Sequence, residues 1–331
     1  MNRNKIIGMW ITSLLLLGGM VLLSITLGAK AISLEEVFAS FSKEQSTFTA
    51  LVIQERIPRT LFGILAGAAL AVSGCIMQTI TRNPIADPSI LGVNTGASLA
   101  VVIGIAFFSI SSATEYIWLA FFGALITAII VYGLASTGYG GATPMKLALA
   151  GAAMSTALAS LVNTIMLPNA QVMDSFRFWQ AGSIAGANWD TIQVILPYLI
   201  IGFVICFWMT HRLNVLALGD EMASGLGINT KRTRYLSAFA AVLLCSAITA
   251  LAGPIGFIGL MVPHFVRMKV SSDMKVLLPL SAITGSSLLL CSDVVGRLLI
   301  RPAELEVGIV TAMIGAPVFI WIVRKAKVRS L

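Results

Sequence analysis

Charge is what this sequence has least of. Only 11% of its 331 residues are Asp, Glu, Lys or Arg, against 57% from the apolar set, whereas soluble domains carry about 25% charged residues. A chain so poor in polar surface cannot cover a water-facing exterior, which excludes an ordinary soluble enzyme. Histidine is nearly missing, with two residues. The four cysteines, Cys75, Cys206, Cys245 and Cys291, lie in apolar stretches without CxxC spacing, so no metal site and no cofactor is expected, and the thiols read as packing residues. No GxxxxGK[ST] phosphate loop occurs, so nucleotide hydrolysis falls to another chain. No acidic residue sits at the centre of an apolar run, which weighs against coupling to an ion gradient, because ion-driven carriers retain such costly charges for use.

What the chain has instead is a series of long apolar runs and a mean hydropathy of +0.93. They centre on residues 6–28, 60–80, 91–110, 116–136, 146–167, 191–210, 235–252, 254–266, 276–296 and 305–323. The sequence is therefore that of an all-α polytopic membrane protein with about ten transmembrane helices, a single transmembrane domain over residues 1–331. The first run is about 22 residues, longer than a signal-peptide core, so Ala29-Lys30-Ala31 is not expected to be a cleavage site. The eighth run is too short for an upright span, and parity decides its fate. Basic residues at both ends (Arg3, Lys5; Arg324, Lys325, Lys327, Arg329) place both termini in the cytoplasm, which requires an even number of crossings. With ten crossings, 15 of the 22 Lys/Arg and 4 of the 14 Asp/Glu lie inside. The formal charge of +8 thus orients a membrane protein and does not point to nucleic acid.

The intervening segments then acquire sides. Ser33-Leu34-Glu35-Glu36-Val37-Phe38 lies outside, with serine placed to cap a short helix. Asn169 to Asp190 is also outside, and its Phe176, Phe178, Trp179 and Trp189 suit an interfacial segment. The longest cytoplasmic loop, about 211–234, is amphipathic and broken by Gly219, Gly225 and Gly227, so two short helices fit it, and a separate ATPase docked there would supply the energy. Arg82 and Asp87 flank a cytoplasmic turn. Asp293 and Arg297 form an i,i+4 pair near the outer end of the ninth span. Small residues recur at helical spacing at Gly63, Gly67, Ala71 and Cys75, and again at Gly151, Ser155, Ala159 and Asn163. Such stripes pack helices, but the polarity of Ser155 and Asn163 places the second on a translocation path.

Several motifs agree in order and spacing with one family. Arg56-Ile57-Pro58-Arg59, Gly67-Ala68-Ala69-Leu70-Ala71-Val72-Ser73-Gly74 with Gln78, Asn83-Pro84-Ile85-Ala86-Asp87-Pro88 and Leu91-Gly92-Val93 resemble the FecCD family of ATP-binding-cassette importer permeases. Leu216-Ala217-Leu218-Gly219 with Leu226-Gly227, Gly256-Phe257-Ile258-Gly259-Leu260 with Pro263-His264 and Arg267, and Gly315-Ala316-Pro317-Val318-Phe319 continue the likeness. It runs from about residue 50 to 323.

The resemblance implies the ten-helix type II importer permease fold and import of a ferric siderophore, cobalamin or haem, the siderophore being the commonest cargo. It implies two permease subunits, identical or paralogous, two cytoplasmic ATPase subunits and an extracytoplasmic substrate-binding protein, with no catalysis by the permease itself. Arg56, Arg59 and Arg297 match the family's outer arginines, which are similar to partners for glutamates of the binding protein. Leu218, Gly219, Asp220, Glu221 and Gly227 fall in the ATPase-coupling stretch. Asn83 and Ile85 sit where the inner pathway narrows, and Gly151, Ser155 and Asn163 are assigned to the pathway. A secondary transporter or a membrane scaffold are the readings from other classes.

Overall fold

The computed structural model describes every residue except 1–2, 29, 34, 38–47, 85, 109, 111, 139–142, 271 and 326–331. The described residues form helices α1 (Arg3–Thr26), α2 (Phe48–Thr81), α3 (Val93–Phe108), α4 (Ala113–Ser136), α5 (Pro144–Met166), α6 (Ala170–Gln180), α7 (Trp189–Trp208), α8 (Thr210–Leu216), α9 (Asp220–Gly225), α10 (Thr230–Ala252), α11 (Ile258–Lys269), α12 (Met274–Leu299) and α13 (Val307–Lys325), with no strand among them. Seven of these, α1, α2, α4, α5, α7, α10 and α12, are long and apolar enough to cross a bilayer. Helices α3 and α13 are shorter apolar helices. The helix starts follow the sequence: Ser112 with Glu115, and Asn188 with Thr191, close capping boxes on α4 and α7, and Thr143 caps α5 ahead of Pro144. Ser33 and Glu36 also cap one another reciprocally, while Leu34 and Phe38 fall outside the described residues.

Two ends of the bundle can be told apart by their contacts. One, the loop face, holds Arg82, α8, α9 and the start of α12, where Asn214 bonds both Asp273 Oδ1 (2.7 Å) and the Met274 amide (2.8 Å). The other, the triad face, holds Arg56, Arg59 and Arg297. Helix α10 ends there, its Ala252 carbonyl accepting from the Ser183 amide at 2.7 Å. The eighth segment must therefore join the two faces, although α11 has only 12 residues. Residues 253–257 run without helix before it. At about 3.3 Å per extended residue and 1.5 Å per helical one, strand-like and helical parts together reach the about 30 Å of the hydrocarbon core. This segment is thus long enough to cross, beside the seven long and two shorter apolar helices among the described residues.

The third crossing is broken in the same way. After Arg82, which has φ +51, the chain turns back into the bundle, burying Ala86, Pro88 and Leu91, and a 3-10 turn (Pro88–Leu91) capped by Asp87 leads into α3. Asp87 closes this turn: its carboxylate accepts from the Ser89 amide at 2.9 Å and lies against Gly259 at the start of α11.

Helices α2 and α10 are the central elements, α1 the most peripheral. Gly67 of α2 meets Gly285 of α12 backbone to backbone, and a side chain at either would overlap the other helix. This close approach also lets Ser286 Oγ donate to the Ile64 carbonyl at 2.7 Å. Where α2 crosses α11, Gly74 abuts Gly259. Pro263 has no amide to offer the Gly259 carbonyl four residues earlier, and Gln78 Nε2 supplies the donor at 3.1 Å, while its Oε1 accepts from Arg267 Nη1 at 3.2 Å. Phe176, expected at the membrane interface, is instead fully buried against the bundle, its ring 5.8 Å from that of Trp179; Trp189 is exposed, and nothing is described of the Phe178 side chain.

Because the Gly67 and Gly285 backbones touch, Gly67→Leu should destabilise by about 1–3 kcal/mol, the usual cost of overpacking, or block assembly outright. Gly8→Leu, where a side chain meets nothing within 4 Å, should be neutral. Melting temperatures of the purified protein in detergent check the pair.

Candidate functional sites at the two membrane faces

At the triad face α1 comes to its end. Its last carbonyls have no helical partners and its last turn carries no basic residue, yet the helix end lies against α2 and α12. Those helices supply the missing donors. Arg56 of α2 donates Nη1 to the Ile25 carbonyl (2.8 Å) and Nη2 to the Lys30 carbonyl (2.7 Å). Arg297 of α12 donates Nη1 to the carbonyls of Ser24 (2.9 Å) and Leu27 (3.0 Å), and Nη2 to Ser24 Oγ (3.0 Å). Ser24 Oγ is itself 2.8 Å from Thr60 Oγ1.

The counter-charge is Asp293. Its Oδ2 is 2.7 Å from Arg297 Nη2, an ion pair whose angle falls short of a regular hydrogen bond. Its Oδ1 accepts from Arg59 Nη2 at 2.7 Å and Nε at 3.2 Å. The remaining arm of Arg59, Nη1, reaches Glu304 Oε2 at 2.7 Å. Side-chain exposure falls steeply across the group, from 35% at Glu304 and 14% at Arg59 to 2% at Asp293 and Arg297.

This arrangement corrects the expectation that three arginines are offered outward. Arg297 is enclosed and Arg56 is buried, because the open carbonyls at the end of α1 claim both. Only Arg59, through the arm that holds Glu304, lies at the rim.

At the loop face the two expected short helices are present as α8 and α9. Gly219 joins them with φ +121, a conformation closed to L side chains. Asp220 then lies between two arginines, accepting from Arg82 Nη2 at 2.8 Å and from Arg234 Nη2 at 2.8 Å. Arg82 Nη2 also caps the Leu216 carbonyl at 3.2 Å. Around this pin a cleft of about 820 Å³ opens, bordered by Leu218, Glu221, Met222 and Leu226. The three apolar side chains are 64%, 59% and 60% exposed, an unusual density of apolar surface on a polar face. Gly227, at φ +79, turns the chain toward α10. Nearby, the Lys275 amide and Asn214 hold the Asp273 carboxyl below the usual carboxylate range.

The pathway residues divide. Gly151 packs on the Ile90 carbonyl and Ser155 Oγ accepts from Thr95 Oγ1 at 3.3 Å, so both face the interior of this chain and not the open side of α5, contrary to expectation. Asn163 is exposed. Asn83 is half-buried at the loop face, Ile85 lies outside the described residues, and so does 139–142 of the glycine-rich loop. The open face of α5 carries a different polar row: Thr156, Ser160 and Thr164, all exposed, each donating to the carbonyl four residues back at 2.8 to 2.9 Å. Their strict four-residue spacing is visible in the sequence, one position along from the small-residue stripe that packs inward.

Residues 14–325 match the model of the FecCD transport family. The chain is 44% identical over 304 residues to the ferric enterobactin transport system permease protein FepD of Escherichia coli, covering 92% of this chain and 91% of that one. It is 39% identical over 303 residues to YfiZ of Bacillus subtilis, described as a siderophore transport system permease protein, with 91% of each chain covered. Among solved structures, an ABC transporter described as of metal-chelate type, in an inward-facing conformation, superposes with a TM-score of 0.82 at 28% identity, covering 97% of this chain and 99% of that one.

Two outcomes follow from the geometry. Asp293→Ala leaves Arg297 buried without its counter-charge and should cost about 3–5 kcal/mol, read as a lowered melting temperature and poor recovery from membranes. The Asp273 contribution runs with pH: a carboxyl lowered in the folded state stabilises fully above its unfolded value of about 3.9 and loses this as pH falls through the lowered value. Asp273→Asn should therefore lower stability at neutral pH, where the ionised carboxyl contributes in full, flatten the acid limb below about pH 4, and converge with the native protein in acid.

Proposed function

The chain belongs to the FecCD transport family, and on that premise we propose that it is the membrane-spanning permease subunit of an ABC importer that moves a metal chelate inward, a ferric siderophore first among them. The family's permeases are not enzymes, and the energy comes from partner ATPase subunits. The loop face is the cytoplasmic one, as the distribution of Lys and Arg requires, so both termini are cytoplasmic and the whole chain is one permease domain. Two such permeases, two ATPases and an extracytoplasmic binding protein make up the working importer. Cobalamin and haem are the alternative cargoes.

The observation that carries this reading is the apolar shelf of Leu218, Met222 and Leu226. Three large side chains standing in water beside a pinned ion pair form a surface that needs a protein partner, and a chain without a phosphate loop needs that partner to hydrolyse ATP. Asp220, held by Arg82 at the end of α2 and by Arg234 at the start of α10, passes the partner's push to the two central helices. Facing the cargo, the hydroxyls of Thr156, Ser160 and Thr164 are spent on their own helix. A wall of this kind grips a chelate weakly, as release requires. On the outside, Arg59 meets a carboxylate of the binding protein, with Arg56 and Arg297 fixing the ground beneath it.

Leu226→Asp in the assembled importer should abolish co-purification of the ATPase and ATP-driven uptake of ferric siderophore into proteoliposomes, with the permease still recovered intact. Asp220→Ala should leave stability within about 1 kcal/mol, since exposed ion pairs contribute little, yet lower the uptake achieved per ATP. Uptake that persists with an inactive ATPase and stops when the ion gradient is collapsed would replace this reading with a secondary transporter.

A further inference from the structure

Arg59 has two carboxylate partners of very different standing. Asp293 is 2% exposed and shared with Arg297, so it cannot leave without stranding two guanidinium groups. Glu304 is 35% exposed, holds Arg59 through a single contact at Nη1, and belongs to the loop between α12 and α13. That loop does not depend on the ion pair for its place, because the Leu305 amide is tied to the Gly296 carbonyl at 3.1 Å. The Glu304 side chain is thus free to swing into water while its backbone stays fixed. The group also has an unbalanced charge: among the described residues, Arg56, Arg59 and Arg297 are met by two carboxylates, Asp293 and Glu304. With Glu304 seated the net charge is +1, and with Glu304 swung out it is +2.

We propose that Glu304 is a place-holder carboxylate: it occupies the Nη1 arm of Arg59 until a carboxylate of the extracytoplasmic binding protein displaces it. The inference rests on the docking role given to Arg59 above. The exchange trades one ion pair for another of the same geometry, so the arginine is never left bare in a half-buried site. An incoming partner must first evict Glu304, which keeps the outer face from holding an empty or wrong partner tightly. Rim charges of this kind set register and association rate. The expected sign is unusual, since removing a side chain from the docking surface should strengthen docking.

The test titrates the ferric-chelate-loaded binding protein encoded beside the permease gene onto the full importer in nanodiscs. Glu304→Gln should tighten binding about fivefold, the low end for competing occupants of a site. Glu306→Gln removes the same charge two residues away without touching Arg59 and measures the general electrostatic gain, which should be smaller. In an Arg59→Lys background, which keeps a charge for Asp293 but loses the second arm, the excess of Glu304→Gln over Glu306→Gln should vanish. If Glu304→Gln leaves binding unchanged or weakens it while Arg59→Lys weakens it, the place-holder role is overturned and docking at Arg59 stands. If Arg59→Lys and Arg59→Ala both bind as the native importer does, the docking role itself is wrong and the inference falls with it. Excess tightening that persists without Arg59 also overturns it.

Discussion

No water is available inside a bilayer to satisfy an open backbone group, and three breaks among the described helices are each closed by a polar side chain. Pro263 opens the Gly259 carbonyl, and Gln78 closes it from α2. The re-entrant turn before α3 exposes the Ser89 amide, and Asp87 accepts from it. The end of α1 exposes four carbonyls, and Arg56 and Arg297 bond them from two other helices. Polar side chains in this chain serve the breaks in its helices more than they serve its surface.

The same two helices that make these repairs also link the faces of the membrane. Helix α2 carries Arg59 at one end and Arg82 just beyond the other; α12 carries Asp293 and Arg297 at one end and starts at the Asp273 cap that Asn214 of α8 holds. Backbone contact at Gly67 and Gly285 joins them midway. The α8–α9 end of the bundle is therefore joined, through two helices in direct contact, to the ion-pair group at the triad face. At 34 residues, or about 51 Å at 1.5 Å per residue, α2 outruns the hydrocarbon core and lifts its arginines to the rim.

Helix positions were legible because apolar runs of about 20 residues have few alternative readings. The broken crossings were only half legible. The short eighth run showed that something crosses without a full helix, but nothing local in Asn83 to Gly92 distinguishes a solvated turn from one folded back into the bundle. The seat of Asp87 is not local for that reason: its carboxylate lies against Gly259, far away in sequence. The arginines were misread by the same logic, since the groups that enclose Arg297 are main-chain carbonyls, which every residue has and no motif advertises. For α5, polarity at Ser155 and Thr156 is equal in the sequence, and only the neighbouring Ile90 and Thr95 decide which of them faces inward.

The grip on α1 has a consequence for how the protein is made. Ser24 and Arg297 are 273 residues apart, and chains grow at roughly 5–20 residues per second. The first helix therefore enters the membrane on the order of tens of seconds before the side chain that seals its end has been synthesised. Until then its carbonyls must stay at the level of the lipid headgroups, hydrated. Docking of α1 is thus a late event in biogenesis, and it draws one helix into place by a side chain made 273 residues after it.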